Sequence, residues 1–133
     1  WNPSLGLGRA DTIPVSSLRS LPLLLLNAGF ATRRLFDAAC RLERIEPNVF
    51  VESGAPPTVL ALAEHGHGIA IVPSTVRINR QALQIARVVY RGQPLQSPLV
   101  ILWDKRRLLP RYAEGFFEAL AHHMREVLPI SPP

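Results

Sequence analysis

The sequence has a single cysteine, Cys40, among its 133 residues, so an internal disulfide is excluded. Chains with so little cysteine are typical of reducing compartments, and we expect a cytoplasmic protein. Cys40 stands among the apolar positions of a predicted helix, so we interpret it as a small buried side chain rather than a reactive thiol. Because the first residue is Trp1 and not methionine, we also expect the chain to be a fragment of a longer protein.

Long apolar runs are also missing from the sequence. A helix that spans a membrane needs about 20 apolar residues, and the strongest candidate, residues 21–31, is shorter. That stretch resembles the apolar part of a signal peptide, but it lies inside the chain. We interpret it as a buried strand and predict no membrane partner.

The sequence motifs of common catalytic sites are missing as well. There is no G-x-S-x-G elbow, no phosphate-binding P-loop and no H-E-x-x-H pair. Gly6 and Gly8 begin like a dinucleotide-binding fingerprint, but the third glycine is missing, so we interpret them as a turn. We therefore predict that the chain is not an enzyme and has neither catalytic residues nor a cofactor.

The four histidines form two pairs, and neither pair is typical of a metal site. His65 and His67 have no third ligand nearby, whereas zinc in proteins is usually held by three or four side chains. They follow a predicted helix, whose dipole favours a histidine at that end. His122 and His123 are neighbours on a predicted helix, so their side chains diverge by about 100°. We interpret them as solvated surface and predict no metal.

Acidic residues are in the minority, with 10 against 15 basic residues, a formal net charge of +5 and a pI near 10.6. Such a balance is compatible with nucleic-acid binding. However, the arginines are scattered, and only residues 105–107 form a basic run. No aromatic residues interleave with them, as they do in proteins that bind single strands. We therefore expect no direct DNA contact from this part of the protein.

The sequence does contain a regular alternation of apolar strands and amphipathic helices. Four leucines at residues 23–26 stand between Pro22 and a turn at residues 27–29, which is typical of a strand buried on both faces. From Thr32, a plausible N-cap, apolar residues recur with the helical period until Pro47 stops the helix. The apolar face of this helix is predicted to consist of Leu35, Phe36, Ala39 and Leu42.

Three further elements follow. They are a second strand at residues 49–51, a helix that opens at Pro56 and is capped by Gly66, and a third strand at residues 69–72. Strand, helix, strand, helix, strand with short loops is typical of parallel βαβ units. The pattern therefore predicts an α/β fold with a parallel-rich open sheet and flanking helices. The prediction is completed by a weaker strand at residues 83–90, a strong one at residues 99–103 and a last helix. That helix opens at Pro110, and its apolar positions are Ala113, Phe116, Phe117, Leu120, Met124 and Val127.

The loops after the three parallel strands are the best candidate for a binding site, because ligands of open α/β sheets lie beyond the carboxyl ends of the strands. The loops at residues 27–32, 53–58 and 73–75 are rich in small and hydroxyl residues. The first two run into helix N-termini, which attract anions, and Arg33 could add a charged donor. Capping by Thr32 and Ser53 would explain the same residues without a ligand, so both interpretations stay open.

Nearly the whole chain resembles the LysR-type bacterial transcription regulators. Residues 2–5, 13–18 and 21–26 are similar to the H-P-L-A, I-x-L-x-x-L and P-L-I-L stretches of that family, with Asn2 where the family usually has histidine. The similarity continues at residues 29–33, 52–53 and 60–63, and its most specific pieces are G-x-G-I-A-I-V-P at residues 66–73 and the stretch at residues 103–110.

This resemblance implies an effector-binding domain of two α/β lobes, one of which is present here, like a type 2 periplasmic binding protein. Residues 1–100 would form the second lobe, and residues 101–133 the returning crossing strand and the closing helix of the first lobe. The implied partners are a small anionic metabolite as effector, DNA through an absent N-terminal helix-turn-helix, and further copies in a homo-oligomer. The apolar face of the closing helix is expected to pack on the second lobe or on another copy.

In the family scheme the ligand lies in the cleft between the lobes, and this chain supplies one wall of it. The effector-binding residues expected from the resemblance are Gly29, Phe30, Ala31, Thr32, Arg33, Ser53, Gly54, Ala55, Pro73 and Ser74.

Two other classes of protein with this architecture stay open. A solute-binding component of a transport system would share the fold, but it would normally carry an export signal. An enzyme with the two-lobe fold would need a catalytic constellation that the sequence does not contain.

Overall fold

In the computed structural model, strands and helices alternate from Leu23 to Ile71 as the sequence predicts. The structure describes residues 1–97, 102–104, 106, 108 and 110–127. Two compact units, Trp1–Ser97 and Pro98–Pro133, make up the chain. The elements are β1 (Thr12–Pro14), β2 (Leu23–Leu26), α1 (Ala31–Leu42), β3 (Val49–Ser53), α2 (Pro56–Glu64), β4 (Ile69–Ile71), β5 (Arg87–Tyr90), β6 (Gln93–Pro94) and α3 (Arg111–Val127), with 3-10 helices at Pro3–Leu5 and Val15–Leu18.

The main sheet has the strand order β3-β2-β4, and all of its pairs are parallel. The four leucines of β2 lie in the centre and are at most 1% exposed, which confirms a strand buried on both faces. Right-handed βαβ connections place one helix on each side of such a sheet. The predicted α/β fold with a parallel-rich sheet is therefore confirmed.

The two faces of the main sheet carry separate apolar clusters, because alternate side chains of a strand point to opposite sides. Leu23 and Leu25 belong to the cluster that contains the buried residues of α1, which are Phe36, Ala39 and Cys40. Leu24 and Leu26 belong to the cluster that contains Val59 and Ala63 of α2. Burial of one leucine side chain stabilises a fold by about 1.5–3 kcal/mol, so β2 is a major contributor to the core.

A second sheet of the first unit has the order β1-β5-β6. Strand β1 pairs with β5 in parallel, and β5 pairs with β6 in antiparallel orientation through a two-residue turn. Both turn residues, Arg91 and Gly92, have positive φ angles of 49° and 78°, which matches the type I′ turns of tight hairpins. The weaker strand predicted at residues 83–90 is thus shorter than expected and begins at Arg87.

Helix α1 ends at Leu42, so the prediction that Pro47 stops it was wrong. The amide of Ile45 donates to the carbonyl of Cys40 at 3.0 Å, and the amide of Arg44 donates to the carbonyl of Arg41 at 3.1 Å. These two bonds form a Schellman cap, which requires a left-handed residue, and Arg44 has a φ of 54°. The chain therefore leaves the helix before it reaches the proline.

Leu42 does not belong to the buried face of α1, in contrast to the prediction. Its side chain is 65% exposed, whereas Phe36, Ala39 and Cys40 are at most 3% exposed. The three buried residues follow the i, i+3, i+4 spacing, and Leu42 lies about 100° round the helix from their centre. Helix α2 matches its prediction more closely, since Gly66 follows it with a φ of 78° and completes a Schellman cap.

The second unit contains α3, which confirms the helix predicted to open at Pro110. Within this unit the rings of Trp103 and Phe117 stack with their centroids 5.8 Å apart. Leu102 and Trp103 have no strand structure, and the rest of the predicted strand at residues 99–103 lies outside the described residues.

Candidate functional site

The carboxyl ends of β3, β2 and β4 meet at one edge of the main sheet, because all three strands run parallel. The three predicted loops therefore start from neighbouring strands. Strand β2 lies in the centre, so the loop after Leu26 stands between the other two loops. This arrangement brings the candidate residues to one edge, as the sequence predicts.

Asn27 joins the first loop to the second. Its amide donates to the carbonyl of Ser53 at 3.0 Å, and its side-chain Oδ1 accepts from the amide of Gly29 at 3.2 Å. A Cβ atom on Gly54 would lie 3.0 Å from the side-chain Nδ2 of Asn27, which leaves no room for a larger residue without a shift. The first two loops thus form one packed surface.

Arg33 connects three elements beneath this surface. Its Nη1 atom donates to the carbonyl of Leu26 at 2.9 Å and to Oε2 of Glu52 at 2.6 Å. Its Nε atom donates to both carboxylate oxygens of Asp37, at 2.9 and 3.0 Å. The Arg33 side chain is only 14% exposed, so it ties the end of β2 and the end of β3 to the first turn of α1.

The electrostatics of Arg33 fit this role. Burial lowers the pKa of its guanidinium, but hydrogen bonds to Glu52 and Asp37 and the charges of both carboxylates outweigh burial, so the pKa is raised above its usual value. A guanidinium in such a position stays charged at any ordinary pH. Two carboxylates balance its charge, so Arg33 is not an isolated cation at the loop surface.

Arg34 holds the first loop from the outside. Its Nη1 atom donates to the carbonyls of Ala28 and Gly29, at 3.2 and 3.0 Å. The Arg34 side chain is exposed, in contrast to that of Arg33. Arg34 was not among the predicted site residues, because a carbonyl acceptor in a loop has no signature in the sequence.

The capping role predicted for Thr32 is wrong. Helix α1 begins at Ala31, and the residue in the N-cap position is Phe30, which has no side-chain hydrogen bond to the helix. Thr32 lies one residue inside the helix, where its backbone is already helical. The first turn of α1 therefore begins without a capping side chain, and N–H groups in the first turn of a helix have no partner within the helix.

Ser53 has a local role that differs from helix capping. Its Oγ atom accepts from the amide of Ala55 at 3.1 Å, while Ala55 itself is the N-cap residue of α2. The first two positions of α2 are Pro56 and Pro57, and proline has no N–H group to offer a ligand. Of the two helix N-termini at this edge, that of α1 is therefore the better hydrogen-bond donor.

The third loop follows β4, on the other side of β2 from β3. The amide of Val76 donates to the carbonyl of Pro73 at 3.1 Å, so the loop turns sharply after the strand. Pro73 is half-buried and Ser74 is exposed. Both residues stand at the predicted edge of the sheet.

The described residues contain no group of three or more His, Cys, Asp and Glu side chains that could hold a metal ion. His65 Nδ1 lies 2.8 Å from the carbonyl of Ala61 at the end of α2. His122 and His123 are exposed, which confirms their prediction as solvated surface. In the described part of the chain, no helix is both long and apolar enough to cross a membrane.

Comparison with protein families identifies this architecture. The model of the LysR substrate binding domain matches residues 2–125 of the chain. The chain belongs to this family. The match includes both units and all three loops of the candidate site, so the resemblance seen in the sequence is confirmed.

Two relatives of this LysR domain are named as regulators. The uncharacterized HTH-type transcriptional regulator YcgK of Bacillus subtilis (strain 168) is 24% identical over 119 residues, which cover 90% of this chain and 36% of that protein. The uncharacterized HTH-type transcriptional regulator YfeR of Shigella flexneri is 28% identical over 111 residues, which cover 83% of this chain and 35% of that protein. The LysR domain thus spans about a third of the length of these relatives.

The sequence predicted which loops of the LysR domain converge, but it missed most of the contacts that organise them. The spacing of Arg33 and Asp37 is i, i+4, which is a readable signal for an ion pair on a helix. The contact between Arg33 and Glu52 depends on the register of β3 beside β2, in which Glu52 stands opposite Leu25. That register becomes visible only in the structure.

Proposed function

We propose that this domain senses a small anionic metabolite for a LysR-type regulator, with the loops at the edge of the main sheet as part of the effector site. The proposal is supported most by the N-terminus of α1, which begins at this edge without a capping side chain. Helix N-termini favour anions because of their N–H groups and the positive end of the helix dipole. The family match supports the sensing role.

The ten residues expected from the resemblance keep distinct roles in this proposal. Gly29, Phe30, Ala31 and Thr32 form the anion-binding part at the start of α1, with Thr32 as a hydroxyl donor. Arg33 and Gly54 act by holding the first two loops together, since Arg33 already bonds two carboxylates and Gly54 leaves space for Asn27. The remaining members of the proposed wall are Ser53, Ala55, Pro73 and Ser74.

In this proposal the domain contains only one wall of the cleft. Residues 1–100 form the second lobe, and residues 101–133 return to the first lobe as a crossing strand and closing helix. An effector that contacts both lobes would favour one arrangement of the regulator over another, and DNA binding through an N-terminal helix-turn-helix would follow that change. The names of the relatives support the presence of such a segment in those proteins.

The proposal includes a homo-oligomer, and the open edge of the main sheet supports it. In the described part of the chain, β3 is one of the two outer strands of the main sheet, and Phe50 on it is 59% exposed while Val49 is 39% exposed. Leu42, at the end of α1, is 65% exposed. Large apolar side chains beside an unpaired strand edge are typical of surfaces that pair with another chain. A second copy of this chain is the proposed partner.

The effector site is tested with the full regulator, including its DNA-binding segment, in a thermal-shift screen of small carboxylates and their neutral amides. A ligand that binds the folded state raises Tm, and we expect a carboxylate to do so where its amide does not. Thr32→Val should weaken the binding of that carboxylate about tenfold, as expected for the loss of one charge-assisted hydrogen bond.

The matched control is Thr12→Val, which makes the same change at an exposed position of β1. It should leave affinity unchanged. Equal binding of acid and amide, or equal effects of the two threonine substitutions, would contradict the proposed anion site at α1.

A further inference from the structure

A groove of about 280 Å³ lies on the first unit, outside the three loops of the proposed effector site. One of its walls is the segment that leads into β1, with Arg9 and Asp11. The other wall is the segment that leads into β5, with Arg80, Gln84 and Ile85. The two walls thus converge where β1 and β5 begin to pair.

Backbone hydrogen bonds fix both walls of the groove. The amide of Arg87 donates to the carbonyl of Asp11 at 2.9 Å, and the amide of Gln84 donates to the carbonyl of Trp1 at 2.8 Å. The amide of Leu83 donates to the carbonyl of Asn79 at 3.0 Å. A groove whose walls are held in this way has its shape before a ligand arrives, which lowers the entropic penalty of binding.

Two large apolar residues line the groove. Leu83 is 6% exposed and belongs to the cluster that contains Leu24 and Leu26 of the central strand. Ile85 also lines the groove, and 43% of it is exposed. An apolar body bound against these two residues would cover part of Ile85 and would contact a side chain anchored in the core.

The rim of the groove carries an excess of positive charge. Arg9 and Arg80 are both exposed and line it together with Asp11, so the charged lining has one net positive charge. The sequence on either side of Arg80 contains no acidic residue between Glu64 and Asp104. A net positive charge at a cleft favours the approach of anions.

We propose that this groove binds a small organic monoanion, with its apolar body on Leu83 and Ile85 and its carboxylate at Arg9 and Arg80. An arginine suits a carboxylate because its planar guanidinium can donate two parallel hydrogen bonds. Gln84 lines the same wall. The proposed site shares none of its residues with the proposed effector site, and neither proposal depends on the other.

The test is NMR titration of the ¹⁵N-labelled 133-residue chain with benzoate, benzamide and inorganic phosphate. Benzoate should shift the backbone amides of Ala10, Gln84 and Ile85 in a saturable way. Benzamide lacks the charge, and phosphate lacks the apolar body, so each should bind about tenfold more weakly or worse.

The variant Arg80→Gln should weaken benzoate binding about tenfold, because it removes a charged donor. Arg77→Gln is the matched control, since Arg77 is an exposed arginine of the same segment that does not line the groove. Amide spectra of both variants without ligand show whether they remain folded. If Arg80→Gln fails to fold, Arg9→Gln tests the same rim from the other wall.

Three outcomes would overturn the proposal. They are shifts confined to the loop amides of residues 27–32, equal binding of benzoate and benzamide, and an equal loss of affinity in the Arg77 and Arg80 variants. The first outcome would move the ligand to the proposed effector site, and the last would reduce the effect to general surface charge.

Discussion

Cys40 lies in an environment that differs strongly from that of an exposed cysteine. It is 2% exposed and packs with Phe36 and Ala39 in the core beneath α1. Burial, followed by the charge of Asp37, raises the pKa of its thiol to about 11. Because the thiolate is the reactive form, Cys40 is protected both by its inaccessibility and by its protonation.

Iodoacetamide should therefore label Cys40 slowly in the native chain at pH 8 and rapidly in denaturant, as followed by mass spectrometry. Fast labelling of the native chain at pH 8 would contradict the buried thiol.

The raised pKa of Cys40 also predicts how stability depends on pH. Above the ordinary thiol pKa of 9.0 the unfolded chain loses a proton that the folded chain keeps up to about pH 11. The free energy of unfolding should thus fall as the pH rises between these two values.

The two Schellman caps give a pair of opposite predictions at single residues. Arg44, after α1, and Gly66, after α2, both have left-handed backbones, with φ angles of 54° and 78°. Arg44→Gly should raise the free energy of unfolding by about 0.5–1 kcal/mol, because glycine adopts this conformation without strain. Gly66→Ala should lower it by about 1 kcal/mol, and urea denaturation of both variants measures the two changes. If both variants change the free energy of unfolding in the same direction, the left-handed conformation does not determine stability at both caps.

At the scale of elements, the ion network of Arg33 determines how α1 meets the main sheet. Arg33 contacts Leu26 of β2, Glu52 of β3 and Asp37 of its own helix. A largely buried arginine that is removed leaves carboxylates without their partner, and that loss exceeds the value of an exposed ion pair.

Arg33→Met should lower the free energy of unfolding by about 1–3 kcal/mol, as measured by chemical denaturation. Arg41→Met is the matched control on the same helix, because Arg41 is exposed, and it should change stability by less than about 0.5 kcal/mol. Amide exchange should also be faster at Gly29 and Gly54 in the Arg33 variant. Equal stability of the two variants would mean that Arg33 does not join the elements as described.

The elements of the main sheet were predictable from the sequence, whereas their ends were less so. The leucine run and the change of period at Thr32 were sufficient to place β2 and α1. The end of α1 depends on the left-handed conformation of Arg44, which an arginine rarely adopts, and no sequence pattern indicates it. Strand β1 is three residues long and contains Pro14, so it has too little periodicity to be recognised.

For the candidate site, too, the position could be predicted from the sequence, whereas the contacts between distant residues could not. Its position followed from the order of strands and helices, because parallel strands end at one edge. The pairing of Asn27 with Ser53 and of Arg33 with Glu52 follows from the register of β2 and β3. The sequence contains the partners, but only the fold brings them together.

At the scale of the whole molecule, the exposed apolar residues beside β3 predict self-association. Phe50→Ser removes the largest exposed side chain of that edge, and it should shift the chain towards monomer in sedimentation equilibrium. The loss of a large apolar side chain at an interface typically weakens association by more than about 1 kcal/mol, or roughly fivefold or more in affinity. Ile85→Ser is the control, because Ile85 is 43% exposed at the groove.

The prediction for Phe50 fails if both serine variants associate as strongly as the original chain. It also fails if the two weaken association equally, because the effect would then reflect general surface hydrophobicity. Thermal unfolding of each variant at low concentration checks that the monomer itself remains folded, so that a change in association is not a change in stability.

The four leucines of β2 have one further consequence, which concerns the accuracy of strand pairing. A strand made of a single residue type looks the same after it slides by one position, so its core side chains cannot distinguish the correct register from its neighbours. The bonds at its two ends can: the carbonyl of Pro22 accepts from the amide of Ile69 at 2.8 Å, and the amide of Asn27 donates to the carbonyl of Ser53 at 3.0 Å. Gly68 adds a steric constraint, since a Cβ there would lie 2.5 Å from the Pro22 carbonyl oxygen. The middle of β2 thus contributes apolar burial, whereas the contacts at its two ends determine the register.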